Sequence, residues 1–329
     1  MEKSCKIVID TKGADKGPEM MIKGAAMALE AYPGLELLLV GDAELIKSEC
    51  SALGCDMSRV EILDAPDEIT NYDSPAMAIF GKPESSLVKA LSALSERDDL
   101  AGMINAGSTG ALIAGAMRFL PAKERTRPAL AAVLPTQTGG FTCLVDTGAT
   151  IDCTAGMLLH FASLGSDFMK KYYAISEPKV GLLSNGAEAT KGNAVVKEAH
   201  KLLSEAEGIN FIGNVEGNGA LSGACDVLVC DGFAGNQVLK VSEGMARRII
   251  TDIVKYSKKT ADESIMKLVG YLMGIYDFNS LGGGIILGIS KPVIKAHGAA
   301  NEKSVVSTAG ILLNMIGNKE IFDKTAFEM

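Results

Sequence analysis

Residues 180–193, "VGLLSNGAEATKGN", pass from an apolar run into a turn of small residues and on into "AVVKEAHKLLSEA" at 194–206. The first part has the apolar character of a buried parallel strand. Ser184, Asn185 and Gly186 are turn residues that end it. Thr190 and Lys191 are read as opening the helix that follows. A strand that turns into a helix start is how a phosphate-binding loop is built, because the first N–H groups of a helix lack acceptors and its dipole favours an anion. A lysine in the first helical turn opposes that dipole, and a bound anion would remove the conflict. The stretch is not G-x-x-x-x-G-K-[ST], and no acidic metal ligands stand beside it.

The same strand–turn–helix unit recurs. "CKIVID" leads to "PEMMIKGAAMALEAY", "LELLLVG" to "DAELIKSECSAL" and "LAGMINAG" to "STGALIAGAMRFL". "ALAAVLP" and "TCLVD" come close together, before a long helix over residues 154–171. "INFIGNV" and "DVLVCDG" precede a helix through "NQVLKVSEGMARRIITDIVKYSK". The alternation predicts a three-layer α/β/α fold with a mostly parallel sheet. Two strand pairs lack an intervening helix, which predicts an antiparallel or split portion. After Lys258 the pattern changes: "ADESIMKLVGYLMGIYDF" is helical, with Ile265, Leu268, Val269, Leu272, Met273 and Tyr276 on one face. "LGGGIILG" and "PVIKAHG" read as short strands and "NEKSVVSTAGILLNMIG" as a closing helix. Without a linker or a repeat, the simplest division is one domain over 1–329 with a helical excursion at 255–280.

Composition narrows the function. Hydrophobic residues make up 47% of the 329, enough for a large core, and 36 glycines with only 5% aromatics suit many tight turns after strands. The net charge of −8 and the lack of a basic arm argue against nucleic-acid binding. Seven cysteines without histidines at zinc spacing read as reduced thiols of a cytoplasmic protein, and Cys225 and Cys230 flank the strand-like "DVLV". The chain enters a strand at once, which predicts no signal peptide, and it has no run of 18 apolar residues.

In a sheet of this kind ligands sit beyond the carboxyl ends of the strands. Six predicted strands end in a polar residue that runs into a glycine-containing loop. They are Asp10 with "TKGAD" (Gly13, Asp15), Asn105 with "AGSTG", Asp146 with "TGAT", Asn185 with Gly186, Asn214 with "VEGN", and Asp231 with "GFAGN". Gly107, Ser108, Thr109 and Gly110 are placed at a helix N-terminus, and Gly235 and Asn236 just before the long helix. These loops suit an anion. No G-x-S-x-G elbow is present. His160 and His200 fall mid-helix, whereas His297 ends a strand before a glycine and can reach the rim. The protein is therefore expected to supply positioning and charge stabilisation while phosphate itself attacks.

Taken together, "IVIDTKGADKGP", "INAGSTGALIAG", "RTRPALAAVLPT", "CLVDTGATID", "VGLLSNGAEATKGN", "GNVEG", "DVLVCDGFAGNQVLKVSEG" and "LGGGIILGISKPVIKAHG" resemble the PlsX family of phosphate acyltransferases, in family order from Cys5 to Gly317. The resemblance implies a dimeric α/β/α fold akin to isocitrate dehydrogenase and phosphotransacetylase. It implies transfer of an acyl group from acyl-carrier protein to inorganic phosphate by a protein that can sit peripherally on the inner membrane surface. No H-E-x-x-H, EF-hand or carboxylate cluster points to a metal, and no cofactor is expected. Departures are local. The family's D-A-M-G-G-D-H loop is "DTKGADK", with Lys12 and Lys16; "AGNTGA" is "AGSTGA"; "DVGAN" is "DTGAT", with Thr147 and Thr150; and the basic cluster before the paired serines is thinned to "FGKPESS".

On this reading, Lys191 and Asn236 stabilise phosphate charge and the developing oxyanion. Asp10, Asp146 and Asp231 order the loops. An acidic carrier protein calls for a basic dock, read at Arg247, Arg248 and Lys255 with Lys258 and Lys259, or at Lys123, Arg125 and Arg127. The 261–276 segment is read as a dimer contact, with an acyl tunnel or a membrane contact as alternatives. Competing functions are an acyl-coenzyme A:phosphate acyltransferase and a non-catalytic binding relative. A nicotinamide dehydrogenase lacks its G-x-G-x-x-G.

Overall fold

A computed structural model describes residues 4–122, 126–260, 264–276, 283–298 and 300–317. The elements follow as β1 (Cys5–Asp10), α1 (Pro18–Ala31), β2 (Leu35–Gly41), α2 (Ala43–Ala52), β3 (Val60–Asp64), α3 (Pro75–Gly81), α4 (Ser86–Glu96), β4 (Leu100–Asn105) and α5 (Thr109–Phe119). They continue as β5 (Ala129–Pro135), β6 (Phe141–Val145), α6 (Ala155–Tyr173), β7 (Lys179–Leu183), α7 (Ala194–Glu205), β8 (Asn210–Val215), β9 (Val227–Val229), α8 (Gly232–Thr260) and α9 (Ser264–Tyr276). β10 (Gly284–Leu287), β11 (Val293–Lys295) and α10 (Glu302–Gly317) close the chain. The fold is the expected α/β type, a mostly parallel sheet with helices on both sides. β3, α3 and α4 are additions to the elements read from sequence.

By its contacts the chain divides into two compact units, Met1–Ala129 with Gly282–Met329, and Leu130–Leu281. In the first the strand order is β3-β2-β1-β4-β11-β10. All neighbours are parallel except β10, which pairs antiparallel with β11. β1 is apolar on both faces, with Ile7, Val8 and Ile9 fully buried, because helices cover both sides of it. α1 and α10 pack on each other so closely that a Cβ on Gly24 would lie 2.6 Å from the Val305 Cβ.

In the second unit the order is β5-β6-β9-β7-β8. β5 and β6 are antiparallel, as their short connection predicts. β8 and β9 are also consecutive without an α-helix between them, yet they do not pair: β7 lies between them and is parallel to both. α6 buries Leu158, Phe161, Phe168 and Met169 on its sheet-facing side. Each such side chain contributes about 1.5–3 kcal/mol of burial.

α9 packs on α8, which covers only part of the apolar face read from sequence. Val269 is buried and Ile265 and Leu272 are half-buried, but Leu268, Met273 and Tyr276 are exposed. One neighbouring helix covers a seam narrower than the apolar stripe. Residues 261–263 and 277–280 of the expected excursion, and Lys123 and Arg125 of the second basic group, lie outside the described residues. α8 itself exposes Phe233, Val241, Met245, Ile249 and Tyr256 at roughly helical spacing. No described helix is long and apolar enough to cross a membrane.

Candidate functional site

In the first unit the ends of β1, β4 and β11 are adjacent, since Ile9 pairs with Ile104 and Lys295 with Asn105. Register alone therefore sets Asp10 beside Asn105. The Asn105 amide donates to Asp10 Oδ2 at 2.9 Å, and Asn105 Oδ1 accepts the Gly107 N–H at 3.0 Å. Asp10 Oδ1 accepts the Lys12 N–H at 3.1 Å, and the Ser86 hydroxyl supports the same carboxylate. Asp10 is only 1% exposed, and burial pushes its pKa up to about 6 against these hydrogen bonds.

The bonds fix the loop that enters α5. Ser108 is the N-cap residue, its side chain makes no capping bond, and Thr109, Gly110 and Ala111 present N–H groups with no acceptor inside the helix. The Asp10 loop lies close against this one. Gly13 has φ +84°, and a Cβ there would meet Gly107 Cα at 2.5 Å. The exposed Asp15 bonds through its N–H to the Gly298 carbonyl at 3.0 Å, which brings the half-buried His297 segment to the same rim. Lys12 turns its ammonium to the Pro66 carbonyl, so its charge is held by the loop.

Lys295 was not singled out from sequence. It is 8% exposed, and its Nζ donates to the carbonyls of Ala106 at 3.2 Å and Ala296 at 2.6 Å. It thus holds the residue just before Gly107. A lysine in an otherwise apolar run, "PVIKAHG", was the available signal.

In the second unit Asp146 follows β6 and is fully buried. It accepts the N–H groups of Leu130 (2.9 Å), Gly148 (3.3 Å), Ala149 (3.1 Å) and Thr150 (2.6 Å). Burial nonetheless holds its pKa above the ordinary value. These bonds tie the backbone of the loop after β6 to one carboxylate. Thr150 is buried and its carbonyl accepts the Gly232 N–H at 2.7 Å.

Two placements are corrected. Lys191 does not stand in the first helical turn: α7 starts at Ala194, because Asn193 caps it by accepting the Val196 N–H at 2.9 Å, and Gly192 has φ +97°. The clash with the helix dipole therefore falls away as an argument for an anion. Lys191 is exposed in the loop closed by Asn185, whose Oδ1 accepts the Gly192 N–H at 2.8 Å, and its stem lies on the buried Gly186. Gly235 and Asn236 do not precede the long helix either. α8 starts at Gly232, with Asp231 Oδ1 accepting the Ala234 N–H at 2.7 Å as a cap does. Gly235 is buried where a Cβ would meet the Asp146 carbonyl oxygen at 1.9 Å. It serves packing.

Ser184, Asn185, Gly192, Asn193 and Asp231 edge a cavity of about 640 Å³ within this unit. Leu158, Leu182, Leu183, Val196 and Val238 line it with apolar surface, and Phe233 and Gln237 also border it. Neither Lys191 nor Asn236 lines it. Ser184 Oγ is buried without a hydrogen-bond partner. Cys230, also in the lining, is an unreactive thiol whose pKa burial drives far up. Cys50, Cys143 and Cys225 are buried as well, while Cys5, Cys55 and Cys153 are half-buried, and none is in a disulfide. The basic residues Arg247, Arg248 and Lys255 are exposed on α8, with Arg248 paired to Asp252 at 2.6 Å.

Helix starts that offer N–H groups beside glycine loops are the common feature of both units. The family described as "Fatty acid synthesis protein" matches residues 5–319. The chain belongs to this family, the PlsX-type phosphate acyltransferases. A phosphate acyltransferase of Halothermothrix orenii is 39% identical over 311 residues, 91% of each chain. One of Clostridium novyi is 37% identical over 331 residues, 97% of each. The protein is accordingly an acyltransferase enzyme. Among solved structures it is similar to a phosphotransacetylase from Streptococcus pyogenes, with a TM-score of 0.66 at 18% identity over 96% of this chain and 95% of that one. A branched-chain phosphotransacylase from Enterococcus faecalis gives 0.56 at 14% over 94% and 99%. At those identities they bear on the fold alone.

Proposed function

We propose that this enzyme transfers a fatty acyl group from acyl-carrier protein to inorganic phosphate, yielding an acyl phosphate for phospholipid synthesis and free carrier protein. The observation that carries the reading is the α5 entry loop. Asp10, Asn105 and Lys295 hold it so that the N–H groups of Thr109 and Gly110, with the Ser108 hydroxyl, are available to an anion. Gly13, Asp15, Gly107 and His297 complete that rim. In the second unit Asp146, Thr150, Asp231 and Gly235 order the backbone, and Asn185 and Gly186 present Lys191. Within that unit Lys191 and Asn236 are the residues proposed to stabilise charge. In the reaction a phosphate oxygen attacks the thioester carbonyl. The new bond joins phosphate oxygen to the acyl carbon, the C–S bond breaks, and the carrier's thiolate leaves without a strong acid, as thiol pKa values are modest.

The incubation of enzyme, acyl-carrier protein loaded with palmitate, and phosphate should produce palmitoyl phosphate by mass spectrometry. Turnover from palmitoyl-coenzyme A alone would transfer the reading to that donor. Lys191→Ala and Asn236→Ala should each lower kcat about 100-fold, the scale of one oxyanion donor, and near wild-type turnover in both removes them from the mechanism.

The exposed stripe on α8 and the exposed Leu268, Tyr271 and Met273 of α9 support a homodimer and a peripheral membrane contact of a cytoplasmic protein. Arg247, Arg248 and Lys255 are the proposed carrier dock. Residues 1–329 are taken to act as one catalytic domain. Met245→Glu should halve the mass seen by light scattering, and Met273→Glu should abolish vesicle flotation.

A further inference from the structure

We infer that the cavity of the second unit is the seat of the acyl chain, with the acyl carbonyl at Ser184. This rests on the acyl-transfer reading above and deepens it. At about 640 Å³ the cavity falls within the range of organic-ligand pockets, roughly 300–1,000 Å³. Its polarity is asymmetric. The polar groups come from residues just past the carboxyl ends of β7 and β9 and from the cap of α7, where the chemistry of such a sheet gathers. The apolar surface comes from α6 and β7, where Leu158 and Leu182 are 1% and 0% exposed, and from Val196 and Val238.

Among the described residues no Lys or Arg lines the cavity, and the one carboxylate there, Asp231, is already engaged in capping α8. Without a side-chain cation, that lining is poorly suited to the charge of a phosphate or a nucleotide. It suits an uncharged acceptor joined to an alkyl tail. The second, independent sign is Ser184 Oγ, buried at the polar edge with no partner among the described residues. Buried hydroxyls are nearly always hydrogen-bonded, so an orphan invites a ligand's acceptor. A thioester carbonyl meets it while the chain runs over Leu158 and Leu182.

The test compares butyryl- and palmitoyl-loaded acyl-carrier protein as donors for the wild type, Val196→Phe and Ala234→Leu. The two variants fill the cavity from α7 and from α8. Both are first checked for a native melting transition. The palmitoyl-to-butyryl ratio of kcat/KM should fall about tenfold or more in each, the scale on which apolar pockets discriminate single methylenes. An unchanged ratio in both overturns the assignment while leaving acyl transfer standing. If the wild type makes acyl phosphate from neither donor, the transfer reading fails instead, and palmitate binding by calorimetry decides the cavity. Binding to the wild type with a negative heat-capacity change, lost in Val196→Phe, upholds it. No binding, or equal binding by both, overturns it.

Discussion

At the strand ends of the first unit Asp10, Asn105 and Gly107 are tied to one another at 2.9 and 3.0 Å, with Asp10 buried; at those of the second, Asn185 is exposed and Asp231 half-buried around a cavity. Both sets sit at the same place in a parallel sheet, and from sequence both read as polar residues before glycine loops. The difference teaches that a rim residue can act by being consumed. In the first unit the side chains are used up internally, and what faces outward is backbone N–H, a surface suited to a small anion. In the second, Asn185, Asn193 and Asp231 are likewise engaged, but the Ser184 hydroxyl and an apolar wall remain open, a surface suited to a larger amphiphile.

Four substitutions press on this contrast. The largest effect is expected at Asp146, where the second unit does tie its backbone down. Asp146→Ala strips four N–H groups of their acceptor. Orphaned buried donors cost about 1–3 kcal/mol each, so partial relief still leaves a loss of about 4 kcal/mol or more in denaturant unfolding. A loss under 1 kcal/mol would show that the loop is not held by this carboxylate.

Next comes Asp10. Its pKa rises from 3.8 unfolded to about 6 folded, so the folded protein keeps a proton that the unfolded chain has lost. The associated stability is fully present below about pH 4 and disappears as pH rises through about 6, a change of roughly 3 kcal/mol. Asp10→Asn should therefore gain on the wild type by roughly that amount between pH 4 and pH 7, read from paired unfolding curves. Parallel curves would mean that Asp10 is not buried in solution.

Gly13→Ala follows. A Cβ at 2.5 Å from Gly107 Cα, on a backbone with φ +84°, displaces the α5 entry loop. A misplacement near 1 Å costs about 100-fold in rate, and the loss should appear in kcat/KM for phosphate. Equal activity at all phosphate concentrations would separate this loop from the anion. The smallest effect belongs to Ser184→Ala in the open rim. It should raise KM for the palmitoyl donor about fivefold, one neutral hydrogen bond's worth, while leaving KM for phosphate unchanged. A shift in both would mean that the two rims do not divide the substrates.

The legible parts of the fold are those with strong local signals. Apolar runs with helical periodicity behind them mark nearly all the central strands. β3 escaped because "VEILD" is half-buried along its length and lacks such a run. α4 carries helical spacing at Leu87, Leu91 and Leu94 that the alternation argument passed over, and α3, at seven residues, is too short to show any. Among the site residues, Asp10, Asn105 and Asp146 stood out by ending strands, and Ser108 by standing at a helix start. Lys191 was misplaced because two cap residues compete within four positions: Thr190 suggests one helix start and Asn193 provides the actual one.

The sequence by itself determined the alternation of most strands and helices, the polar residues at the main strand ends and the glycine turns that follow. Those depend on neighbours a few residues apart, through periodicity, capping and turn chemistry. Only the tertiary structure decided that Asp10 bonds Asn105, 95 positions away, and that Lys295 reaches back to Ala106 across 189. It also decided that β7 separates β8 from β9 and that Ser184 is left unpartnered beside an apolar cavity. Burial, and with it the pKa of a carboxylate or the need of a hydroxyl for a partner, is a property of what distant segments bring to the same place.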